Sequence, residues 1–438
     1  MPTEIPTALS ERAERFLTRL QLFAMFWLFL AELGREVGFD AGAHIEMLNL
    51  ITWTNPETAL KGSFYGYHPP MGFLLPRTLY LLGFVPEVSV QIVSFLAGLV
   101  AFFFLRLTLK EIGVLRTPQG TAFLVLSTGL PLSVYLLHSV NLDVLILAEG
   151  AIVLFCCTRL FLRERSENLS CGDRWTAWFG LLSTLSFAML TKLSGILLLA
   201  LPPIAALVGS RPRRWLPRLA KATTVMLLAL AMVLPYYGVR YYLSEHTFFP
   251  NNGDWMVGGA FVEARARRNA DPVGFFVDLF APNPVHREKG LAHRDYDVLH
   301  LSDTWRDYWL KDQFLGSSAP FSLEIGSVYF FAAPWLLALG GATLLRRRIN
   351  LSVLWRRLGR VVLFFGLLQF TALIVYLTLH PFAGWGPAKA IYITPTIWGI
   401  AYLLTGLVPR DPLTPRQQRT LTTLLTSFIL LNFLIPIY

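Results

Sequence analysis

Charge is the scarcest property of this chain. Only 15% of its 438 residues are Asp, Glu, Lys or Arg, against about 25% in an ordinary soluble domain, and acids are the rarer sign, 28 against 38 cations. Cysteine is nearly missing: Cys156, Cys157 and Cys171 sit at or beyond one end of a single apolar run. Three thiols so clustered offer no external disulfide and lack the spacing of a metal knuckle. No repeat of solenoid length and no low-complexity tract stands out, which sets aside repeat arrays. What is present is apolar: 54% hydrophobic and 14% aromatic residues, with a mean hydropathy of +0.51. That composition excludes a water-soluble globule built on one core and defines an all-helical, polytopic membrane protein.

Apolar runs of membrane length lie at about 17–34, 87–107, 120–138, 143–162, 175–191, 193–209, 221–242, 326–345, 361–380, 390–408 and 421–437. A hydrocarbon core needs about 20 helical residues, so eleven spans are expected. A twelfth run, Pro69 to Val85, is interrupted by Pro76 and carries Arg77 at its middle, where burial in lipid costs roughly 2.5–3.5 kcal/mol. It reads as an interfacial helix. Leaving it out puts every Arg-rich connection on the side of the N-terminus, 24 of the 38 Lys and Arg, and cations in short loops mark the cytoplasm. The N-terminus is then cytoplasmic in an inner (plasma) membrane, and the C-terminus is external. The formal charge of +10 is a topology signal, not a nucleic-acid surface. The first run lacks a small-residue cleavage site after it and reads as a retained signal anchor.

This topology divides the chain into three parts. Residues 1–242 form an N-terminal transmembrane catalytic module, including a first external loop at 35–86. Residues 243–325 form a large external loop, and residues 326–438 the C-terminal helices. The large loop, with NNGDW and TWRDYW, is expected as short helices and turns against the membrane face.

The candidate chemistry gathers at external helix ends. GFDAGAHIEMLNLI places Asp40, His44 and Glu46 just after the first run. On a helix Asp40 and His44 share a face and Glu46 points elsewhere. A carboxylate there suits a general base for an attacking hydroxyl, a role worth about 10²–10⁴ in rate. Lys192 in TKLSG, Arg240 in PYYGVRYY and Lys389 in KAIYITP stand at three separate outer ends, where converging cations would steady a departing phosphate. Each residue also has a plainer role: Asp40 as a helix N-cap, His44 as a structural hydrogen-bond donor, the cations as interfacial snorkels, Asn141 and Asp143 as caps of the fourth run. His68 before two prolines suits either a phosphate or freed backbone. Trp255, Trp305 and Trp309 suit a sugar face or an interfacial belt.

The order of these segments resembles the GT-C membrane glycosyltransferases, in particular the bacterial branch related to protein O-mannosyltransferases and the lipid A aminoarabinose transferase. The resemblance rests on the early external Asp40, on YHPPMGFLL, HSVNLDVLILAEGAIVL, TKLSGILLLALP, VLPYYGVRYYLSEHTFFPNN and KAIYITP, and covers roughly 20–250 and 385–405. It implies an inverting transfer of a sugar from a polyprenyl-phosphate carrier to a glycan, lipid or protein acceptor on the external, periplasmic face. By the same resemblance Asp40 is the base, with His44 and Glu46 beside it. His68, Lys192, Arg240, Lys389 and Tyr392 hold the lipid phosphate, and Asn141, Asp143 and Trp255 line the substrate. The chain departs from the pattern at DAGAH, where many relatives carry a second adjacent carboxylate.

No cofactor is required by this scheme, since fixed cations can stabilise a monophosphate leaving group. A divalent metal on Asp40 and His44 is the alternative that their spacing leaves open, although no Cys or His set completes its shell. The competing class is a transporter or flippase of a lipid-linked substrate. Such proteins place polar residues near the midplane, often within internal repeats, whereas here only Glu149 lies well inside a run. A partner subunit is neither required nor excluded by the apolar flanks.

Overall fold

The computed structural model describes residues 11–35, 41–52, 69–163, 170–210, 214–242, 266, 268–280, 305, 308–309, 320–346, 351–379, 390–409 and 413–433. Among them there are helices and turns and no strand.

The order of elements is α1 (Glu11–Glu32), α2 (Ala41–Leu50), α3 (Met71–Leu81), α4 (Pro86–Glu111), α5 (Pro118–Gly129), α6 (Pro131–His138) and α7 (Asp143–Cys157), the last continued by a π-turn at Thr158–Leu162. Then come α8 (Cys171–Thr191), a 3₁₀ stretch Leu193–Ala200, α9 (Leu201–Gly209) and α10 (Trp215–Tyr237), which ends in a π-turn at Gly238–Tyr242. Beyond the large loop, which contributes α11 (Pro272–Phe280), lie α12 (Pro320–Arg346), α13 (Val353–Leu379), a 3₁₀ stretch Ala390–Thr396, α14 (Ile397–Leu404) and α15 (Pro415–Phe433).

The described residues of the eleven apolar runs fall mostly on helices or helical turns. By length and apolarity alone, four described helices qualify as membrane spans: Pro86–Glu111, Asp143–Leu162, Trp215–Tyr237 and Val353–Leu379. The α5–α6 pair, bent by 53° at its break, makes a fifth when counted as one span. Leu193–Gly209, Phe331–Arg346 and Ile393–Leu407 are apolar but shorter. Breaks cause much of the shortening. Pro131 opens α6 after Gly129, and Lys192 in an extended conformation separates α8 from the 3₁₀ stretch. The Pro69 to Val85 run forms only the 11-residue α3, about 16 Å at 1.5 Å per residue. It is too short to cross a bilayer, in accord with the interfacial reading.

Burial sorts the helices into centre and periphery. The apolar window of Asp143–Leu162 is 83% buried and packs on α4, α8 and α9, while that of Trp215–Tyr237 is only 22% buried. The outer faces of α1 (Phe23, Phe26, Trp27), α10 (Leu227, Leu228, Met232) and α13 (Phe364, Leu367) expose large apolar side chains, as lipid-facing surfaces do.

Ion pairs and side-chain bonds to helix ends define one pole. Arg106 bonds Glu14 at 3.0 Å and Arg116 bonds Glu11 at 3.0 Å. Arg163 and Arg159 meet Glu111, and Arg159 also reaches Asp173 at 3.2 Å. Arg218 bonds the carbonyl of Phe161 at 2.8 Å and Arg357 that of Leu162 at 3.0 Å. The Arg-rich helix ends expected to share one side do therefore meet at one end of the bundle. Of the large loop, α11 docks on that bundle: Phe275 and Leu279 pack with Leu373, Leu377 and Ile393.

Candidate functional site

The opposite pole carries the candidate chemistry, and α3 is its keystone. Pro69 and Pro70 start this helix, and the Cβ that any other residue would bring to Gly72 would lie 3.1 Å from the Thr191 carbonyl, 3.3 Å from Thr191 Cγ2 and 3.7 Å from Leu142 Cδ1. Three separate sequence segments, PPMG, NLD and TKLSG, thus meet at one glycine.

Lys192 sits where α8 stops, with φ −156° and ψ 149°. Its amide still accepts the last helical register, donating to Ala188 O at 3.1 Å, and its carbonyl receives Gly195 N–H at 2.9 Å. Gly195 is required here, because a Cβ would stand 2.1 Å from Ala188 O. This tight break turns the Lys192 side chain inward, where its ammonium donates to Asp143 Oδ1. Lys192 is 8% exposed and Asp143 1%. Lys192 is therefore buried and ion-paired, which departs from the plainer of its two expected roles, an interfacial snorkel. Just before α7, whose N-cap position is Leu142, Asn141 Oδ1 accepts the Asp143 N–H at 2.7 Å.

One residue back, the Thr191 hydroxyl donates to Glu149 Oε1 at 2.7 Å. Glu149 is buried two turns inside α7, beside Gly150, which is tightly packed against Trp398, Leu198 and Pro395. The described part of KAIYITP, 390–395, therefore packs on the same central helix. The Tyr237 hydroxyl donates to Met189 O at 2.7 Å, which holds the end of α10, and with it the backbone of the π-turn containing Arg240, beside the end of α8.

His44 is buried on α2, its ring 5.6 Å from that of Phe73 on α3, while Glu46 is exposed. The two therefore face different ways, as their spacing predicts. The Arg77 guanidinium donates to Leu48 O at 3.1 Å and lies 4.8 Å from the Tyr80 ring, so the charge that argued against a span instead ties α3 to α2. Asp40, His68, Trp255 and Lys389 lie outside the described residues, and Arg240 and Tyr392 are described in backbone only. Trp309 is not an open sugar platform: it is 4% exposed and packs on Trp305 and Tyr329. Among the described residues no group of three or more His, Cys, Asp or Glu is arranged to hold a metal ion.

Two groups at this pole escape a motif reading. Gln91 and Ser94, three residues apart on α4, bond the carbonyls of His138 at 3.1 Å and Asn141 at 2.8 Å. Their signal in the sequence is that they are polar residues on one face of an otherwise apolar run. Thr191 and Glu149 are the second pair: each lies within a quoted segment, TKLSG and HSVNLDVLILAEGAIVL, but their contact is legible in neither.

Comparison with known proteins agrees with the motif order. Residues 67–238, under half of the chain, match the family model described as dolichyl-phosphate-mannose-protein mannosyltransferase. That stretch holds α3, Asn141, Asp143, Lys192 and the end of α10. Two solved structures of ArnT from Cupriavidus metallidurans resemble the chain. The apo form has 15% identity and a TM-score of 0.43, and the form bound to undecaprenyl phosphate has 16% and 0.42; each covers 89% of this chain and 76% of the other. No curated protein sequence matches significantly.

Proposed function

We propose that this protein transfers a sugar from a polyprenyl-phosphate carrier to an acceptor hydroxyl on the external face of an inner membrane, with inversion at the anomeric carbon. The observation that carries the reading is the meeting of PPMG, NLD and TKLSG around Gly72, with the buried Lys192–Asp143 pair among them. A buried cation beside an interfacial helix is suited to a lipid-linked anion that enters sideways from the bilayer.

In this scheme Asp40 takes the proton of the acceptor hydroxyl as its oxygen attacks the anomeric carbon. The bond from that carbon to the phosphate oxygen breaks, and polyprenyl phosphate leaves. Lys192, Arg240 and Lys389 hold the phosphate with His68 and Tyr392, while Asn141, Asp143 and Trp255 line the sugar. His44 and Glu46 flank the base. Asp143 aims the Lys192 ammonium before the donor arrives, and the phosphate then shares it. The Arg-rich pole faces the cytoplasm by the excess of cations in short loops.

The test is sugar release from a panel of radiolabelled polyprenyl-phosphate sugars by purified wild-type protein and by Asp40→Asn, with and without chelator. Turnover that is lost in the variant and indifferent to chelator is the expected result. Loss with chelator would make Asp40 and His44 metal ligands instead. Absence of turnover with every donor, while carrier lipid still binds, would turn the reading to a transporter.

A further inference from the structure

The break that turns Lys192 inward is held at three points. Gly195 closes over it from the 3₁₀ stretch, where a Cβ would stand 2.1 Å from Ala188 O and 3.1 Å from Met189 N, and Gly72 of α3 packs on the Thr191 carbonyl. The third point is Tyr237, at the end of α10, whose hydroxyl donates to Met189 O at 2.7 Å. In an unbroken α-helix the donor to that carbonyl would be Leu193 N–H, four residues on. Leu193 lies beyond the extended Lys192, with φ −156° and ψ 149°, so Met189 O is one of the carbonyls that a helix end leaves without a helical partner. The Tyr237 hydroxyl supplies the donor from another helix.

That hydroxyl is out of character for its surroundings. The apolar window of α10 is only 22% buried, and the other buried residues of the helix, Ala222, Val225, Ala229 and Val233, are small and apolar. Burying a hydroxyl on such a face costs about 1–3 kcal/mol unless it is bonded. Tyr237 is 7% exposed, and its bond goes to the break. Earlier along both helices the Ser186 hydroxyl lies 3.7 Å from Met232 Sδ, so α8 and α10 run parallel into this end. A peripheral helix thus reaches the buried Lys192–Asp143 pair through one polar contact.

We propose that Tyr237 is a positioning residue for Lys192: by holding the last turn of α8 it sets where the ammonium stands beside Asp143, and so how well that ammonium meets a lipid-linked phosphate. This rests on the transfer reading, in which Lys192 binds the donor phosphate. The Tyr237 bond is to the backbone of Met189, three residues before Lys192, and its effect on the phosphate passes through that lysine.

The experiment compares wild-type protein with Tyr237→Phe, which keeps the ring and removes the hydroxyl, both in lipid nanodiscs. Binding of undecaprenyl phosphate and of uncharged undecaprenol is measured together with amide hydrogen exchange. In Tyr237→Phe, exchange at 192–195 is expected to rise at least about tenfold while 222–233 of α10 stays unchanged. Undecaprenyl phosphate is expected to bind about tenfold more weakly, and undecaprenol within about twofold of wild type, since its head group carries no charge for Lys192 to meet. A loss shared by both lipids, or one accompanied by faster exchange along 222–233, is general damage to α10 and overturns positioning, as does unchanged binding of the phosphate. Unchanged exchange at 192–195 overturns the hold on the break. Wild type that binds the phosphate no better than the alcohol would instead sink the phosphate role of Lys192 in the transfer reading, and the exchange result would then decide the hold alone.

Discussion

The Lys192 ammonium donates to the Asp143 carboxylate across the gap between the break after α8 and the start of α7, and both side chains are buried. The pair stands beside the close approach of α3 to the bundle at Gly72. A buried pair of this kind is weak evidence for stability, because two charges must lose their water. This one stands at the meeting point of three motif segments, PPMG, NLD and TKLSG.

Stability and function should therefore separate. Lys192→Met or Asp143→Leu alone breaks a buried ion pair and is expected to cost about 3–5 kcal/mol. The double replacement removes both charges and is expected to recover most of that loss. Transfer should not recover with it. Thermal midpoints and single-turnover rates for the three variants test this, and a double variant with wild-type transfer would remove Lys192 from phosphate binding.

The Gly72 contact yields a graded series. A methyl group at this residue meets the Thr191 carbonyl at 3.1 Å, and that atom is backbone at a helix break, with little room to give. Gly72→Ala is expected to raise KM for the lipid-linked donor several-fold, and Gly72→Val to cost about 1–3 kcal/mol by overpacking, with a larger loss of transfer. Donor binding and thermal melts of both variants measure it. Equal activity of Val and Gly would mean that α3 can move away from the site without consequence.

Much of this architecture is written in one-dimensional patterns. Runs of apolar residues bounded by Arg became helices because lipid and core impose the same length requirement, and the basic ends met because each short connection returns the chain to the same face. Arg77 and Pro76 correctly demoted the run at 69–85. The site was legible as an order of motifs, not as contacts. Lys192 read as an external cation because its spacing says nothing about the break that turns it inward, which depends on Gly195 closing over Ala188. Gln91 went unread because its importance lies in partners 47 to 59 residues away. Hydrogen bonds of that range leave no periodic trace.

At the basic pole the Asp173 carboxyl is held below its usual range, first by the hydrogen bond from Ser170 and then by Arg159; Glu11 is lowered likewise by Arg15 and Arg116. Both lie ahead of the apolar runs of their helices. A depressed folded pKa adds stability above the unfolded value, about 3.9 for Asp and 4.3 for Glu, which is lost as pH falls through the folded pKa. The thermal midpoint is therefore expected to hold between about pH 7 and 5 and to fall below about pH 4. In Glu11→Gln/Asp173→Asn that acid slope should be shallower, while transfer at neutral pH is unchanged. An identical slope in the double variant would show that other carboxylates govern acid unfolding.

Glu149 separates the two functional classes. It is buried in α7, and its contact to Thr191 at 2.7 Å competes with the Phe187 carbonyl, 3.0 Å from the same hydroxyl. A hydroxyl has one proton to donate, so Thr191 keeps a partner when Glu149 is removed. In a transferase whose chemistry sits at the external pole, Glu149→Gln and Glu149→Leu are expected to keep transfer within about threefold, under about 0.7 kcal/mol of barrier. In an ion-coupled transporter, a buried acid on the central helix would lie on the path of the coupling ion. A loss of about a hundredfold in both variants, with unchanged thermal midpoints and with a proton-gradient dependence that vanishes along with the activity, would therefore favour transport.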